Sequence, residues 1–292
     1  MNSFSNFLLP RRVFRQMSGV SAAWLEEKGV DSDPVPFEVV RAWFRETQSE
    51  LDRPRVIAHA NLRGGIGKTT STINLGVRLS QYGRKTALVD LDPQASATLA
   101  LRGSVDEEDV IFLDIWQQSH SLDEAIDELH EGLLLLPSSL GNGLLDVNLN
   151  NPKHQKKAVS AVCKQMVEEQ DLDCVVIDCP PALGAAVIST ICAATDLVIP
   201  VMGDPFSVRG LHLTLGEINS ICEIFGLEKP NIHVLFNRMD RREKLVIETY
   251  EKLQDEFSEY LVPFPIRTSS QIDRTYASGQ TLFSNHTRDK AY

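Results

Sequence analysis

A glycine-rich stretch at residues 61–70, NLRGGIGKTT, has the composition of a loop that binds phosphate groups. Its end, Gly67-Lys68-Thr69, matches the pattern G-x-x-x-x-G-K-[ST], although Leu62 replaces the first glycine of that pattern. Glycine N–H groups can turn towards phosphate oxygens, Lys68 can reach the β- and γ-phosphates, and the Thr69 hydroxyl can bind Mg²⁺. A chance glycine-rich turn is the alternative, but the apolar strand before the loop and the helical pattern after it favour a phosphate site. The residues expected to bind a nucleotide are Gly64, Gly65, Ile66, Gly67, Lys68, Thr69 and Thr70.

Carboxylates end two apolar segments further along the chain. Asp90 and Asp92 lie in LVDLDPQ at residues 88–94, and Asp178 ends CVVID at residues 174–178. Carboxylates at the carboxyl edge of a parallel sheet lie where ligands bind in this class of fold. There one carboxylate can support Mg²⁺ and another can orient an attacking water molecule. Each segment alone also fits an ordinary strand end with a solvated Asp, but together with the loop they predict one nucleotide site.

Six short apolar runs predict the strands that would bring these residues together. They suit strands buried on both faces of a parallel sheet, and they are Arg55–Ala60, Thr86–Leu91, Leu133–Leu136, Cys174–Asp178, Leu197–Val201 and Ile232–Phe236. Amphipathic segments alternate with them and predict helices over Thr69–Tyr82, Leu122–His130, 153–169, 208–225 and 242–257. The helix at Leu122 would open on the capping box SLDE. The alternation predicts an α/β fold with a doubly wound, mostly parallel sheet flanked by helices.

Residues 1–54 differ from this pattern and predict two helices around the turn sequence DSDPVP. We therefore divide the chain into a helical N-terminal extension, 1–54, and a P-loop domain, 55–292. The extension can pack Trp24, Trp43 and Phe44 on the P-loop domain or on a second copy of the chain. A small helix-turn-helix DNA reader is the alternative, although roughly 50 residues leave little room for one and no recognition helix is evident.

Composition narrows the class of protein. Of the 292 residues, 42% are hydrophobic, which suffices for a packed core. The formal net charge of -11 opposes a protein that coats nucleic acid over its whole surface, but it allows a local basic face. The five cysteines form no C-x-x-C pair, so free thiols in a reducing compartment are expected. The order of apolar and basic residues at the N-terminus is not that of a secretory signal, which predicts a cytoplasmic protein.

Three motifs taken together, RGGIGKTT, DLDPQ and IDCPP, resemble those of the ParA/MinD family, the deviant Walker A ATPases. The loop of that family reads K-G-G-x-G-K-[ST], which matches the late glycines at positions 64 and 65 and the lack of one at 62. The resemblance covers about residues 55–285. It continues through the segments LLPSS (135–139), IPVMGDPFSVRGL (199–211), LFNRMDRREKL (235–245) and PIRTSSQID (265–273).

The resemblance implies a P-loop ATPase with ATP and Mg²⁺ as cofactors, which forms a sandwich homodimer when ATP is bound. By match to the family, Lys68 stabilises charge on the transferred phosphoryl group, Asp92 orients the attacking water and Asn237 contacts adenine. The residues implied to hold Mg²⁺ are Thr69 and Asp178, with Asp90 as a supporting carboxylate.

Position 63 departs from the family. The family has a signature lysine there, which crosses to the phosphates of the other subunit, whereas this chain has Arg63. Arginine keeps the charge and adds a planar fork that can contact two phosphate oxygens. We therefore expect Arg63 to act catalytically in trans, as an arginine finger does. The alternative is a local bond between Arg63 and a carboxylate of its own chain.

The resemblance favours the branch that segregates or positions plasmids, chromosomes or other cargo. Members of that branch bind nonspecific DNA as the ATP-bound dimer, and a ParB-like centromere-binding protein stimulates their hydrolysis. A nucleoid-associated, cytoplasmic location is expected. The polar sequence at residues 279–292 lacks the basic amphipathic helix of MinD-like relatives, so no membrane association is expected. The DNA-binding residues suggested by the match are Arg242, Arg267 and Arg274.

Three alternatives remain at this point. The chain could be an ATP- or ADP-regulated autorepressor whose residues 1–54 bind operator DNA, or an ATPase that positions a protein cargo. The basic residues Arg241, Arg242 and Lys244 could also be no more than the solvated start of a helix. A second basic cluster, at residues 153–157, fits either another contact or an exposed helix face.

Overall fold

A seven-stranded sheet forms the centre of the computed structural model, which describes residues 9–47, 53–277 and 282. The strands are β1 (Arg55–His59), β2 (Thr86–Asp90), β3 (Asp127–His130), β4 (Leu133–Leu136), β5 (Cys174–Asp178), β6 (Asp196–Met202) and β7 (Asn231–Asn237). Their spatial order is β3-β4-β2-β5-β1-β6-β7, and only the β3–β4 pair is antiparallel. Each predicted strand is present with small shifts at its ends. The predicted α/β fold with a doubly wound, mostly parallel sheet is confirmed.

Helices cover both faces of this sheet. They are α1 (Arg11–Ser18), α2 (Ala22–Glu27), α3 (Phe37–Thr47), α4 (Lys68–Gln81), α5 (Ser96–Arg102), α6 (Phe112–Trp116), α7 (Leu122–Ala125), α8 (Leu145–Asn148), α9 (Pro152–Gln170), α10 (Ala185–Ala193), α11 (Ser207–Phe225), α12 (Lys244–Phe257) and α13 (Ser270–Ala277). A 3-10 turn, Leu140–Leu144, precedes α8. The helices predicted at 69, 153, 208 and 242 correspond to α4, α9, α11 and α12. Within the described ranges, no helix combines the length and apolar character required to cross a bilayer.

The central strands β2 and β5 are largely apolar up to the aspartates that end them, because helices cover both faces of the sheet. On β5, Val175 and Ile177 pack into the core cluster that includes α9 and α10, whereas Val176 packs with Ile73 and Val77 of α4. All residues of β2 and β5 are buried. Since β1, β2 and β5 run parallel and in register, their carboxyl ends, and the loops that follow them, lie at one edge of the sheet.

The helix predicted over Leu122–His130 is wrong. Its start is as predicted, because the Glu124 carboxylate accepts hydrogen bonds from the Ser121 N–H at 2.7 Å and the Ser121 hydroxyl at 2.8 Å. The helix ends at Ala125, and residues 127–130 form the edge strand β3 against β4. A capping box specifies where a helix begins but not its length. Pairing with the fully buried β4 decides the conformation of β3 instead.

The described part of the N-terminal extension, residues 9–47, contains three helices rather than the two predicted. The first predicted helix divides because Ser21 caps a new one: its hydroxyl accepts a hydrogen bond from the Trp24 N–H at 3.1 Å. The extension has its own apolar cluster, which meets the P-loop domain where Phe44 packs on Tyr82 with ring centroids 5.0 Å apart. Phe44 thus packs on the P-loop domain as predicted, whereas Trp24 and Trp43 pack on Phe14 within the extension. The boundary at residue 54 stays a prediction.

Candidate nucleotide site

The glycine-rich loop connects the end of β1 to the start of α4, as a phosphate-binding loop requires. Gly67 precedes α4 with φ 94°, a left-handed conformation that favours glycine. A side chain at this position would also collide with the amide of Asn237. That amide donates a hydrogen bond to the Ile66 carbonyl at 2.9 Å, so strand β7 and the loop hold each other in place. The predicted contact of Asn237 with adenine stays a prediction.

Lys68 and Thr69 follow the loop and point to different partners. The Lys68 ammonium is buried and donates to the Arg63 carbonyl at 2.8 Å, which folds the lysine back along the loop. Burial lowers the pKa of Lys68. The Thr69 hydroxyl donates to the Asp178 carboxylate at 2.6 Å. The residue pair implied to hold Mg²⁺ is therefore brought into direct contact.

Asp178 and Asp90 are buried neighbours at the ends of β5 and β2. Burial, followed by repulsion from Asp90, raises the pKa of Asp178 to about 8. Burial also raises the pKa of Asp90 to about 6, against hydrogen bonds from the N–H and hydroxyl of Thr98, both at 2.9 Å. The Asp90 carboxylate thus already accepts hydrogen bonds from α5, which suits a supporting role in the nucleotide site. Its direct part in holding Mg²⁺ stays a prediction.

A hydrogen-bond network links the loop after β2 to the loop after β4. The Ser138 hydroxyl donates to the Asp92 carbonyl at 2.8 Å, and its N–H donates to the Thr98 hydroxyl at 2.9 Å. The Asn142 amide donates to the Ser138 hydroxyl at 2.8 Å and to the Asp90 carbonyl at 3.3 Å. Sequence reasoning missed this network, although Ser138 lies in the LLPSS motif that carried the family resemblance.

A cleft of about 540 Å³ opens over the loop. Its lining includes the predicted residues Gly64, Gly65, Gly67, Lys68, Thr69, Thr70 and Asp92. Sequence reasoning missed other residues of the lining, namely Ile73, Gln94, Ser96, Leu99, Ala100, Pro181 and Arg238, although the quoted motifs contained Gln94 and Pro181. A second cavity of about 660 Å³ lies between α11 and the start of β7, away from the loop and its carboxylates.

The cleft residues fit a magnesium nucleotide. Its volume lies within the usual range of ligand pockets, about 300–1,000 Å³. Glycine N–H groups and the Lys68 ammonium suit phosphates, and the Thr69 and Asp178 oxygens are hard donors of the kind that Mg²⁺ accepts. Among the described residues no group of three or more His, Cys, Asp and Glu side chains could hold a metal by itself.

Arg63 bonds within its own chain in this structure. Its guanidinium donates to the Asp204 carboxylate at 2.6 Å, and 48% of the Arg63 side chain is exposed. Asp204 lies just before α11 and also accepts from the Ser207 hydroxyl at 2.8 Å. This is the local contact that the sequence left as an alternative. The role of Arg63 in trans stays a prediction.

Exposed basic residues gather beyond the end of β7. The Met239 N–H donates to the Ile266 carbonyl and the Thr268 N–H donates to the Met239 carbonyl, which brings Arg267 beside the turn that carries Arg241 and Arg242. The Arg242 guanidinium bonds to the Asp240 carboxylate at 2.9 and 2.5 Å, and this side chain is 87% exposed. Arg274 is exposed on α13. The structure therefore brings Arg242 and Arg267 to one surface, while their binding of DNA stays a prediction.

A protein-family profile and several curated proteins match the chain. The profile of the AAA domain family (AAA_31) matches residues 54–233, more than half of the chain. The chain is 28% identical to the cell division protein PomZ of Myxococcus xanthus over 275 residues, which cover 92% of this chain and 84% of PomZ. It is 27% identical to the sporulation initiation inhibitor protein Soj of Bacillus subtilis, across 78% of this chain and 90% of Soj.

Solved structures of similar proteins share the fold. Apo McdA of Cyanothece superposes with a TM-score of 0.71 at 25% identity, covering 78% of this chain and 92% of McdA. Cobyrinic acid a,c-diamide synthase of Mycobacterium smegmatis, bound to an ATP analogue and magnesium, superposes with a TM-score of 0.67 at 28% identity, covering 74% and 86%. These matches confirm the P-loop NTPase fold and the resemblance inferred from the loop motifs. The chain belongs to the AAA domain family AAA_31, as a ParA/MinD-like P-loop NTPase with a deviant Walker A loop.

Proposed function

We propose that this protein is a Mg²⁺-dependent ATPase that partitions or positions a DNA molecule, cycling between an ATP-bound homodimer and a monomer. The observation that carries the proposal is the contact of Thr69 with Asp178 beside Lys68, in a loop that opens a helix over a nucleotide-sized cleft. The names of its relatives support the biological setting, since they include a cell division protein and chromosome-partitioning ATPases.

The residues of the cleft divide the chemistry among them. Mg²⁺, held by Thr69 and Asp178, would supply positive charge against the phosphate oxygens. Lys68 binds the β- and γ-phosphates, for which its ammonium leaves the Arg63 carbonyl. Asp92 is half-buried at the cleft wall, where its carboxylate can orient an attacking water. Asp90 holds the start of α5 through Thr98, and so fixes the position of the loop that carries Asp92.

Arg63 would complete the site from the opposite subunit of the dimer. Its half-exposed guanidinium makes a surface pair with Asp204, and such a pair contributes roughly 0–1 kcal/mol. The same guanidinium can therefore move to phosphate oxygens of a second copy at little cost. An arginine that stabilises a transferred phosphoryl group accelerates hydrolysis by about 10³–10⁵-fold.

The test is ATP turnover and ATP-dependent mass of the wild type and of the Lys68→Ala, Arg63→Lys and Arg63→Ala variants. We expect Lys68→Ala to lose turnover by at least about 100-fold. Arg63→Ala should lose turnover and dimerisation together, whereas Arg63→Lys, which restores the residue of the family pattern, should keep both. Equal turnover in all four proteins would refute the proposed site. If ATP turnover were lost in Lys68→Ala alone, Arg63 would have no part in the mechanism.

The surface of Arg241, Arg242 and Arg267 would bind the phosphate backbone of nonspecific DNA, with Arg274 nearby. Clustered arginines that release counterions give a binding constant that falls steeply with salt. We expect random duplex DNA to bind in the presence of ATP and Mg²⁺ but weakly without them. Arg242→Ala and Arg267→Ala should each lower the slope of log K against log salt by about 1.

Fluorescence anisotropy at several salt concentrations measures these slopes. Lys164→Ala is the matched control, because Lys164 is an exposed cation on α9, away from this surface. A slope that is the same in the control and in both arginine variants would exclude this surface as the DNA site. On this proposal the protein acts in the cytoplasm on the nucleoid, and a ParB-like partner stimulates hydrolysis.

The operator-binding alternative receives little support from the extension. Its shortest helix, α2, exposes Glu26 and Glu27, which phosphates repel. Three residues separate α1 from α2, which fits a helix-turn-helix turn, but α2 would then be the recognition helix, and it is the helix that exposes these glutamates. Footprinting on operator DNA with and without residues 1–54 tests this alternative, since only an autorepressor would lose sequence-specific protection. Whether the cargo is DNA or protein can be tested by localisation in plasmid-free cells.

A further inference from the structure

An exposed apolar stripe lies on the segment that follows β4. Residues 138–148, here called the connecting segment, comprise the end of the β4 loop, the 3-10 turn and α8. Leu140, Leu144 and Val147 are 64%, 55% and 66% exposed. Their spacing of i, i+4, i+7 places them on one side of a helical segment. Three large apolar side chains exposed together on one short element indicate a contact surface rather than scattered surface residues.

The same segment is bonded to both loops that carry the catalytic carboxylates. Ser138 and Asn142 donate to the Asp92 and Asp90 carbonyls, as described above. On α8, the Asp146 carboxylate accepts from the Ala186 N–H at 3.3 Å, at the start of the helix that follows the Asp178 loop. Asp146 also packs directly on Gly184, where a side chain would collide with it. A ligand that shifts the connecting segment therefore shifts Asp92 and the residues after Asp178.

The charge beside the stripe is positive although the protein is acidic. Residues 138–157 contain one acidic residue, Asp146, which is bonded to α10, and three lysines, 153, 156 and 157. Lys156 donates to the Phe225 carbonyl at 2.7 Å. Lys153 and Lys157 are exposed, and neither makes an ion pair with any described residue. Lys153 follows Val147 by six residues, which is ~20 Å of extended chain at most.

We propose that the stripe and its two lysines bind an acidic amphipathic helix of a partner protein, and that this contact regulates ATP hydrolysis through Asp92 and the Asp178 loop. Apolar residues of the helix would cover Leu140, Leu144 and Val147, and carboxylates at its rim would pair with Lys153 and Lys157. The proposal rests on the proposed function, because it assigns a docking site and a route to the partner that stimulates hydrolysis.

Two other occupants fit the observations less well. A second copy of the chain would pair this surface with itself about a two-fold axis, which brings the unpaired lysines of both copies together. An anionic membrane would match the charge, but a membrane-bound helix needs a longer apolar face than three residues.

The test uses a phage library of random 16-residue peptides, selected on the full-length chain with Mg²⁺ and a slowly hydrolysed ATP analogue. The Leu144→Glu/Val147→Glu variant serves for counter-selection. We expect enrichment of peptides with apolar residues at helical spacing and flanking Asp or Glu. A synthetic copy of an enriched peptide should bind the wild type at least ten-fold more tightly than it binds this variant or Lys153→Glu/Lys157→Glu. It should also change ATP turnover of the wild type at least two-fold.

Phe264→Glu is the matched control, because Phe264 is 80% exposed in the segment that pairs with β7, at the opposite edge of the sheet from β4. The proposal is overturned if no peptide is enriched, if basic peptides are enriched, or if the glutamate variants bind the peptide as the wild type does. It is also overturned if the stripe variants abolish the ATP-dependent dimer or the binding of phosphatidylglycerol vesicles instead. A wild type without ATP turnover would refute the proposed function and the regulatory part of this inference, whereas peptide affinity, which is measured independently of hydrolysis, would still test the docking site.

Discussion

The guanidinium of Arg63 has two competing partners in the proposed cycle. In the single chain it bonds to Asp204, whose carboxylate also accepts from the Ser207 hydroxyl and the Phe206 N–H. Across a dimer it would bond to phosphate oxygens. Since one guanidinium cannot hold both positions, the pair with Asp204 opposes dimerisation by whatever free energy it contributes.

Replacing Asp204 by Asn should therefore favour the dimer. The amide oxygen can still accept from the Phe206 N–H, and the amide NH2 can donate to the Ser207 hydroxyl in place of the oxygen that accepted from it, but the charge that holds Arg63 is lost. A half-exposed ion pair contributes about 0.2–1 kcal/mol, so the ATP concentration at half-maximal dimerisation should fall by up to about five-fold. Analytical ultracentrifugation with a slowly hydrolysed ATP analogue measures this value.

Asp240→Asn is the control for this substitution, because it removes a similar exposed Arg–Asp pair, with Arg242, away from the loop. It should leave the half-maximal concentration unchanged in the absence of DNA. A rise in that concentration for Asp204→Asn would mean that Asp204 holds Arg63 in its productive position rather than away from it.

At the scale of elements, helix α3 joins the N-terminal extension to the P-loop domain by very close packing. The Arg41 side chain is buried and pairs with Asp173 at 2.6 Å. Gly83, just after α4, has φ 72°, and a Cβ there would lie 2.6 Å from the Cα of Arg41. The backbone of α3 therefore occupies the space that a side chain at position 83 would need.

Gly83→Ala should consequently destabilise the protein more than an equivalent change elsewhere. Gly103 is the matched control, because it has φ 84° and a Cβ there would meet nothing within 4 Å. Gly103→Ala should lower the free energy of unfolding by about 1–2 kcal/mol, which is the cost of placing an alanine in the left-handed conformation. Gly83→Ala should cost about 1–3 kcal/mol more, since α3 must move. Urea unfolding compares the two, and equal losses would show that α3 does not constrain position 83.

At the scale of the whole molecule, buried ionisable groups make the unfolding free energy depend on pH in two opposite ways. Burial lowers the pKa of His59 to about 3 and of His130 to about 4, so the unfolded chain binds the extra protons below pH 6.5 and stability rises with pH there. Burial raises the pKa of Asp178 to about 8, so the folded chain binds the extra proton between about pH 4 and 8. That term lowers stability as pH rises.

Asp178→Asn should therefore gain stability over the wild type as pH rises. The amide does not titrate, whereas folded Asp178 keeps a proton that the unfolded chain has lost. Between pH 6.5 and 7.5 the difference in unfolding free energy should grow by about 1.4 kcal/mol. Urea unfolding in EDTA without nucleotide measures it, and the histidine terms cancel between the two proteins. Parallel stability curves would show that Asp178 is ionised in the folded, metal-free protein.

Most of the sheet and the identity of the loop could be predicted from the sequence. Strands buried on both faces must be apolar along their whole length, so β2 and β5 are visible as short continuous runs. The loop is visible because phosphate binding needs glycines and Lys68 in consecutive positions. Edge strand β3 could not be predicted from the sequence. Its residues have no apolar pattern, and it forms only because it pairs with β4. The sequence pattern also predicted one helix where α1 and α2 lie, because the cap at Ser21 that separates them was not recognised.

The sequence by itself determined the residues of the nucleotide site, since neighbours in the chain supply nearly all of the loop chemistry. Only the tertiary structure decided which partners those residues have. Arg63 bonds to a residue 141 positions away, and Asn237 bonds to one 171 positions away. Likewise, the connecting segment bonds to the loop after β2 and to the start of α10 only because the sheet order places β4 beside β2, and β2 beside β5. Such contacts depend on the packing of separate elements, which no local pattern in a single sequence specifies.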